Sequence, residues 1–370
     1  MAALLARVHD LSDLELALLL CLVSREHGLL STPAEAIDDL VRELQLVAGR
    51  TFGLRCVVVD CAPDTTLEQF ASALLCPSAA TPNSPPPPPR ASSSSYFVAD
   101  PQQQRQEWRS NLSSSSHQQP PPPPAAASLR IANCVLAKNL DRAPRVVQIQ
   151  ALELLRTRRI FTRTSVQAAP KQFVFAPVLA ARSGGSARVT THLNDFFALA
   201  HWHDPDDGFV HLEGRDETDS VVRGGRLDDD DDDDDGPAAA PLISEADISQ
   251  LAQLSQKVDV DVDVLRYQMN IISFLRMHRA VAHGMTPAAT KHMDKIVRCL
   301  APIHGLDYVT PALVGLAARK VYLHRILVTA PDKERSLQWG SRLEAVQAVL
   351  HNVGPEDIID DVLDTVTAPL

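Results

Sequence analysis

The sequence predicts an α/β fold in which a parallel-sheet core precedes an all-helical domain, with two inserted segments that do not pack. Short β-branched runs alternate with helical periodicity as far as residue 204, and only helical periodicity follows residue 240. Strands that alternate with helices are typical of a parallel sheet. The segments 77–128 and 205–240 contain too few apolar residues to pack as part of a core.

The first block, residues 1–76, begins with helical spacing and then changes its period. Leucines recur three or four residues apart from Leu11 to Leu19, and again from Leu40 to Leu44. A β-branched run at 56–59 then predicts a strand, followed by a loop and a helix over 67–75. The order strand, loop, helix is the repeating unit of a parallel sheet.

The second block, residues 129–204, repeats this scheme. The pattern predicts a strand at 134–137, a helix over 147–158 and a strand at 173–175. After residue 240 each apolar pattern has helical spacing, and glycines and prolines mark the breaks. The predicted helices of this third block cover 245–255, 262–282, 288–303, 310–322 and 335–350.

The two inserts have different compositions. Residues 77–128 hold two runs of five prolines and patches rich in Ser and Gln, which predict a disordered, partly extended segment. Residues 205–240 hold eight consecutive aspartates, 228–235, whose mutual repulsion predicts a disordered acidic linker. We therefore expect a core made of 1–76 and 129–204, a helical domain at 241–330 and a helical extension at 331–370.

Charge and composition exclude several classes of protein. The net charge is −11, and the chain outside the aspartate run is close to neutral, so we expect no nucleic-acid partner. The longest apolar run has about eight residues, whereas a membrane span needs about 20. The six cysteines are scattered without a CxxC pair, which favours reduced thiols and an intracellular, cytoplasmic location.

Residues 136–160 resemble the Walker-B region of the MoxR and magnesium-chelatase ATPases, which belong to the AAA+ superfamily. In that family a strand that ends in two acids leads into a helix with a conserved frame. The residues that fit the frame are Arg142, Ala143, Pro144, Gln148, Leu152, Glu153 and Arg158. The agreement extends over the 25 positions of this segment, which makes it a fairly specific signal.

A second segment resembles the helical AAA lid of the same family. The matching stretches are 284–288, 305–311 and the pair His324 and Arg325. The resemblance implies that residues 1–204, outside the insert, form an AAA+ P-loop-type core and that 241–330 form the lid. It also implies ATP and magnesium as the family's cofactors, and ring-shaped oligomers as its assemblies.

The family's phosphate-binding loop aligns with residues 61–68, after the strand at 56–59. Such a loop needs glycines, a lysine and a Ser or Thr, because backbone amides and the lysine hold the phosphates. This stretch contains neither glycine nor lysine. Cys61 begins it, Asp64 would repel phosphate, and Thr65 and Thr66 could instead cap the following helix.

Four further elements of the family's site have also lost the side chain that the reaction needs. Lys138 and Asn139 stand where the Walker-B acids belong, and Leu179 lies near the sensor-1 asparagine position. Asp195 occupies the arginine-finger position, and Ala288 occupies that of the sensor-2 arginine. Because a single arginine finger contributes about 10³–10⁵ in rate, we expect no catalytic residue and no nucleotide cofactor.

Three hypotheses about function follow. The first is a non-hydrolysing AAA+ subunit that acts as a scaffold or regulator, in a homo-oligomer or in a hetero-ring with an active AAA+ subunit. The second is a divergent magnesium-chelatase-type ATPase that drives magnesium insertion into protoporphyrin, with ATP and magnesium bound near Thr65, Thr66 and Lys138. The third is an adaptor whose proline runs bind SH3 or WW domains.

Three smaller motifs permit other chemistry. His201, His203 and Asp204 could form a metal site, because alternate residues of a strand share one face. The aspartates at 259, 261 and 263 could bind calcium or begin a helix, and the second interpretation is favoured because the EF-hand glycine and glutamate are absent. Cys61 follows a strand, but no base lies near it in the sequence.

Overall fold

The computed structural model describes residues 2–77, 129–162, 165–213 and 240–369. Residues 1–76 and 130–370 form one unit, and residues 77–129 form a second unit of which only Pro77 and Leu129 are described. The predicted insert 78–128 and the aspartate run 228–235 therefore lie outside the described residues.

The described helices and strands alternate in the first half of the chain, and helices predominate in the second. The strands are β1 (His27–Thr32), β2 (Cys56–Asp60), β3 (Leu75–Pro77), β4 (Leu129–Ile131), β5 (Cys134–Lys138), β6 (Arg159–Phe161), β7 (Val166–Ala168), β8 (Val174–Ala180), β9 (Phe197–Trp202), β10 (Val281–His283) and β11 (Leu327–Val328). The helices are α1 (Ala2–His9), α2 (Asp13–Ser24), α3 (Ile37–Leu46), α4 (Leu67–Ala73), α5 (Arg145–Thr157), α6 (Thr191–Asn194), α7 (Glu245–Ser255), α8 (Val262–Met277), α9 (Pro287–Ile303), α10 (Pro311–Tyr322), α11 (Leu343–Leu350) and α12 (Pro355–Thr365).

Five parallel strands form the central sheet in the order β2-β5-β8-β1-β9. Both faces of the sheet are covered, so its inner strands are buried throughout. In β5, Leu136 faces the apolar core on the side of α2 and α3, whereas Val135 faces the core on the side of α4 and α5. Continuous apolar runs such as β5 are typical of strands that are buried on both faces.

Side-chain caps explain where several helices begin. Ser12 and Glu15 form a capping box at α2, and Ser244 and Asp247 form one at α7. Thr310 caps α10 with Pro311 at the first helical position. These residues satisfy backbone amides that a helix leaves unpaired at its start.

The predicted α/β class, with a parallel sheet followed by a helical region, is confirmed. Two strands of the sheet, β1 and β9, are absent from the prediction, because their sequences carry almost no β-branched residues. The predicted helix 262–282 is too long: α8 ends at Met277, and Val281–His283 pairs with Leu327–Val328. The predicted helix 335–350 is wrong as one element, because Gly340 adopts a positive φ of 90° between Arg335–Trp339 and α11.

The first part of the predicted acidic linker is bonded to the core. The carboxylate of Glu43 accepts hydrogen bonds from the backbone amides of His211 and Leu212, at 3.0 Å each. The His211 ring lies 3.0 Å from a carboxylate oxygen of Glu15. The chain is therefore held to α2 and α3 as far as residue 212, and the linker boundary at 205 stays a prediction.

The chain also re-enters the core beside the same residues. Thr51 donates its hydroxyl hydrogen to Glu15 at 2.5 Å, and its carbonyl accepts the amide of Ile243 at 2.8 Å. Burial opposes the charge on Glu15, but the hydrogen bonds from Thr51 and Ser12 hold its pKa below the ordinary value. The segment 214–239 thus leaves and rejoins the core at neighbouring points.

No helix within the described ranges is long and apolar enough to cross a membrane. All six cysteines are described, and each is a free thiol.

We predict that stability falls below pH 6.5 because buried imidazoles are held neutral. The Nδ1 atom of His27 accepts the amide of Phe175, and burial, with nearby cations, lowers the pKa of His27 to about 3. His27 takes up a proton near pH 6.5 in the unfolded chain but only near pH 3 in the folded chain. Its contribution to the free energy of unfolding is therefore complete above pH 6.5 and is lost as the pH falls towards 3. For His27 the loss is about 2 kcal/mol at pH 5.

Urea titrations between pH 7.5 and 5 would measure this dependence. The amide oxygen of the glutamine in His27→Gln can accept the same hydrogen bond. In this variant the slope of the unfolding free energy against pH should decrease by the amount that corresponds to the uptake of about one proton on unfolding. An unchanged slope would contradict the prediction, whatever the absolute stability of the variant.

Candidate functional site

The order of the strands locates one crevice at the edge of the sheet. From β1 the chain passes into α3 on one face, whereas from β8 it passes through α6 on the opposite face before reaching β9. Since β1 and β8 are neighbours, their carboxyl ends flank a topological switch point. In open α/β sheets ligands bind in the crevice at such a point.

The loop between β1 and α3 lies at this switch point and is unsuited to phosphate. Pro33 has no amide hydrogen, and its carbonyl accepts the amide of Ala36 at 3.1 Å. The first turn of α3 carries Asp38 and Asp39, which occupy the helix N-terminus with negative charge. The residues of this loop therefore do not fit the phosphates of a nucleoside triphosphate.

An ion pair joins the two sides of the crevice. Lys138, at the end of β5, places Nζ 2.5 Å from a carboxylate oxygen of Asp38, across the end of β8. The hydrogen bond from Lys138, together with its charge, holds the pKa of Asp38 below its ordinary value. Lys138 is mostly buried at 17% side-chain exposure, while Asp38 is open to solvent at 62%.

Backbone hydrogen bonds continue past the strand ends at the same edge. The amide of Ala181 donates to Thr32, that of Asn139 to Val178, and that of Cys61 to Lys138, all at 2.9–3.0 Å. Asn139 adopts a left-handed conformation with φ of 54°, which asparagine tolerates better than most residues. These strand-end carbonyls are therefore already occupied by the protein.

The loop at 61–66, where the sequence alignment places the phosphate-binding loop, follows the edge strand β2. The Thr65 hydroxyl accepts the amide of Ala62 at 2.8 Å, and Thr66 forms a capping box with Gln69 at the start of α4. Asp64 is exposed. The structure thus supports the capping interpretation, and it brings the loop after β1, rather than this loop, to the switch point.

Cys61 is buried against the same edge. Burial, with the charges of Asp60 and Asp141, raises the pKa of its thiol to about 12. A thiol nucleophile must be deprotonated, so Cys61 is inert at neutral pH.

A second polar cluster joins the sheet to the helical domain. Asp195, which follows α6, accepts a hydrogen bond from the hydroxyl of Thr286 at 2.6 Å, and its carboxylate lies 3.5 Å from Nε of Arg325. Thr286 is the N-cap of α9. We call Asp195, Thr286 and Arg325 the clasp.

Arg325 has 2% of its side chain exposed; both of its terminal nitrogens are hydrogen-bonded, whereas Nε is buried without a hydrogen-bond partner among the described residues. Its terminal nitrogens donate to the backbone carbonyls of Val321, Asp195 and Phe197, at 2.9, 3.1 and 2.6 Å. Burial lowers its pKa to about 10, while Asp195 opposes that shift. The neighbouring His324 ring bonds the same Phe197 carbonyl at 3.0 Å.

The remaining sequence-predicted positions contribute no polar group to the crevice. Leu179 is buried in β8 and faces the core on the side of α5. Ala288 lies in the first turn of α9, two residues after Thr286 of the clasp. The structure therefore brings Lys138 to the switch point and Asp195 and Ala288 to the clasp, whereas sequence analysis missed Asp38 and Arg325 as site residues.

The structure does not support either metal site. Nδ1 of His201 lies 2.8 Å from Nζ of Lys320, and a cation at that distance disfavours a second cation on the same atom. Asp261 accepts the amide of Asp263 and caps α8, as the alternative interpretation predicted. No group of three or more His, Cys, Asp or Glu side chains in the described part of the chain could hold a metal ion.

Comparisons with known proteins support the fold. Residues 273–346 match the family model of the AAA lid domain. A crystal structure of a putative ATPase from Cytophaga hutchinsonii is similar, with a TM-score of 0.57 at 13% identity over 95% of this chain and 88% of that one.

A full-length MCM homologue from Methanopyrus kandleri has a TM-score of 0.43 at 12% identity, over 87% of this chain and 57% of that one. No curated protein sequence matches the chain. The fold is thus of AAA+ type, an α/β core with an AAA lid, and the lid match extends beyond the predicted boundary at residue 330.

We predict that the clasp contributes substantially to stability. Arg325→Met should lower the unfolding free energy by about 2–4 kcal/mol, because it leaves three buried backbone carbonyls without their donor and removes the cation beside the Asp195 carboxylate. Arg266→Met is the matched control, since Arg266 pairs with Asp263 at 73% exposure and should change stability by less than about 0.5 kcal/mol. Equal losses in the two variants, measured by urea unfolding, would contradict this role.

Proposed function

We propose that this protein is a non-hydrolysing AAA+-type module that serves as a scaffold or regulatory subunit. The observation that carries the proposal is the ion pair between Lys138 and Asp38 at the switch point. It places the protein's own charges where a nucleotide-binding relative would hold phosphate and magnesium.

The frame of a phosphate-binding loop explains why this pair matters. That frame consists of a strand, the motif GxxxxGK[ST] and a helix. The corresponding segment of this chain, residues 31–38, runs from the end of β1 into the first turn of α3. Ser31 and Ala36 take the glycine positions, Ile37 the lysine position and Asp38 the hydroxyl position. In nucleotide-binding relatives two positions face the metal ion. Here one has Lys138 in place of an acid, and the other has Asp38 in place of a hydroxyl.

Reciprocal changes of this kind neutralise the crevice from within. The acid of Asp38 would repel phosphate, and the ammonium of Lys138 would repel magnesium, but each stabilises the other. Nucleotide binding would have to break this pair and then accommodate charges of the wrong sign. A site built this way favours the empty state.

The clasp supports a fixed arrangement of core and lid. A motor needs two states whose balance its ligand shifts, and an arginine finger acts on a neighbour's nucleotide. In this chain Asp195 stands at that position and bonds Thr286 and Arg325 of its own lid. We therefore propose that the subunit keeps one shape and offers it to partners, either further copies or an active AAA+ subunit.

The magnesium-chelatase-type ATPase remains the alternative, supported by the resemblance to that family and by the lid match at 273–346. It would require Thr65, Thr66 and Lys138 to bind nucleotide. Each of these side chains already has a partner within the chain. The alternative therefore requires these side chains to break their present hydrogen bonds before they could bind nucleotide.

Calorimetric titration of ATP and of ADP, with magnesium, into the purified chain tests the proposal. We expect no saturable heat at high micromolar nucleotide and no shift in melting temperature, with an active AAA+ ATPase as the positive control. Saturable, magnesium-dependent binding would overturn the proposal.

Phosphate release distinguishes the alternative further. The proposal predicts no ATP turnover above the blank for the natural chain, for Lys138→Ala or for Lys171→Ala, a change of an exposed lysine. If the natural chain and Lys171→Ala hydrolyse ATP and Lys138→Ala does not, Lys138 is part of a working site and the ATPase alternative holds.

Sedimentation velocity at several concentrations, with and without ATP, tests the scaffold role. We expect any association of the chain to be independent of ATP, because the crevice holds no nucleotide. Assembly that requires ATP would contradict this.

A further inference from the structure

A separate cavity lies between the core and the lid, away from the switch point. It has a volume of about 350 Å³, is open to solvent on one side, and is lined by residues of α1, α2, β9, α9 and α10. Its walls are mainly aliphatic, with leucines from each layer: Leu16, Leu20, Leu199, Leu300 and Leu316. Sites for small molecules commonly have volumes of about 300–1,000 Å³ and apolar walls with few polar groups.

One of those polar groups is a largely buried lysine. Nζ of Lys320 lies 2.8 Å from Nδ1 of His201, and burial lowers the pKa of His201 to about 3, so the ring is a neutral acceptor. Burial also lowers the pKa of Lys320 itself, against the opposing charge of Asp13. Among the described residues no carboxylate forms an ion pair with Lys320 within 4.0 Å.

The ammonium group of Lys320 has more hydrogens than its described hydrogen bond uses. An ammonium group has three hydrogens to donate, and the described hydrogen bond to His201 uses one of them. Because no carboxylate of the described residues contacts Lys320 within ion-pair distance, an anion that reached Nζ would gain a charge-assisted hydrogen bond.

The remaining polar residues of the lining are His9, Asp13 and His304. Burial lowers the pKa of His304, which favours its neutral ring, so Lys320 is the group in the lining that would attract an anion, and Asp13 is the acid that such an anion must avoid. The apolar walls favour an aliphatic body over a sugar or a nucleotide, because they offer it burial and no hydrogen bonds.

We propose that this cavity binds a small amphipathic carboxylate, with its aliphatic tail along the leucines and its carboxylate on Nζ of Lys320. The ligand would contact α2 of the core and α9 and α10 of the lid together. Its binding would therefore stabilise the core–lid arrangement, independently of whether the switch point binds nucleotide.

Octanoate and 1-octanol, titrated separately into the full chain by calorimetry and thermal shift, are the test probes. Both have the same tail, and only octanoate carries the anion. We expect octanoate to saturate and to bind about tenfold or more tightly than octanol, as a hydrogen bond to a charged group implies.

Three variants locate the site. Lys320→Met should weaken octanoate about tenfold and leave octanol unchanged, whereas Lys291→Met, an exposed lysine of α9, should change neither. Leu16→Trp, at a half-buried position of the wall, should weaken both probes by filling the cavity. Circular dichroism and a cooperative melt confirm that each variant is folded.

Several outcomes would overturn the proposal. Octanoate that binds no better than octanol would remove the role of the anion, and unchanged octanoate affinity in Lys320→Met would remove the role of this lysine. Undiminished binding in Leu16→Trp would place the ligand elsewhere. Failure of both probes to saturate would show that the cavity does not serve this class of ligand.

Discussion

A buried guanidinium group holds the two layers of this protein together. Arg325 lies three residues after the end of α10 with 2% of its side chain exposed, and three backbone carbonyls accept hydrogen bonds from its terminal nitrogens. Those carbonyls belong to α10 itself, to the residue after α6 and to the start of β9. Arg325 thus connects the lid to two neighbouring segments of the core through one side chain, and the bond from Asn194 to the carbonyl of His324 joins the same parts.

Charged side chains are also paired within the chain at the edge of the sheet. Lys138 is paired with Asp38, and Asp195 accepts a hydrogen bond from Thr286 while lying 3.5 Å from Nε of Arg325. In both clusters the charged side chains therefore have their partners within the chain.

The sequence predicts several long helices and three of the five strands of the central sheet, but it misses β1, the strand on which the site depends. Caps and leucine spacing mark α2, α7 and α10, because local hydrogen bonds determine helix ends. By contrast, β1 is buried by its neighbours in the sheet, and its sequence reads as neither a β-branched run nor a helix. Because the sequence does not predict β1, its alignment places the phosphate-binding loop after β2, and Asp38 is not among the predicted site residues. Leu29 and Leu30, followed by Thr32 and Pro33 before an acid-led helix, were the available signal.

The anchoring of residues 211 and 243 near Glu15 and Thr51 has a consequence for how this chain can vary. Because the two flanking residues are both bonded to the Glu15–Thr51 part of the core, the number of residues between them does not set the distance from sheet to lid. The entropy of closing such a loop grows only logarithmically with its length, by about 0.6 kcal/mol for each doubling. Related chains could therefore lengthen or shorten the acidic run freely, while the register of core against lid stays fixed by the residues on either side.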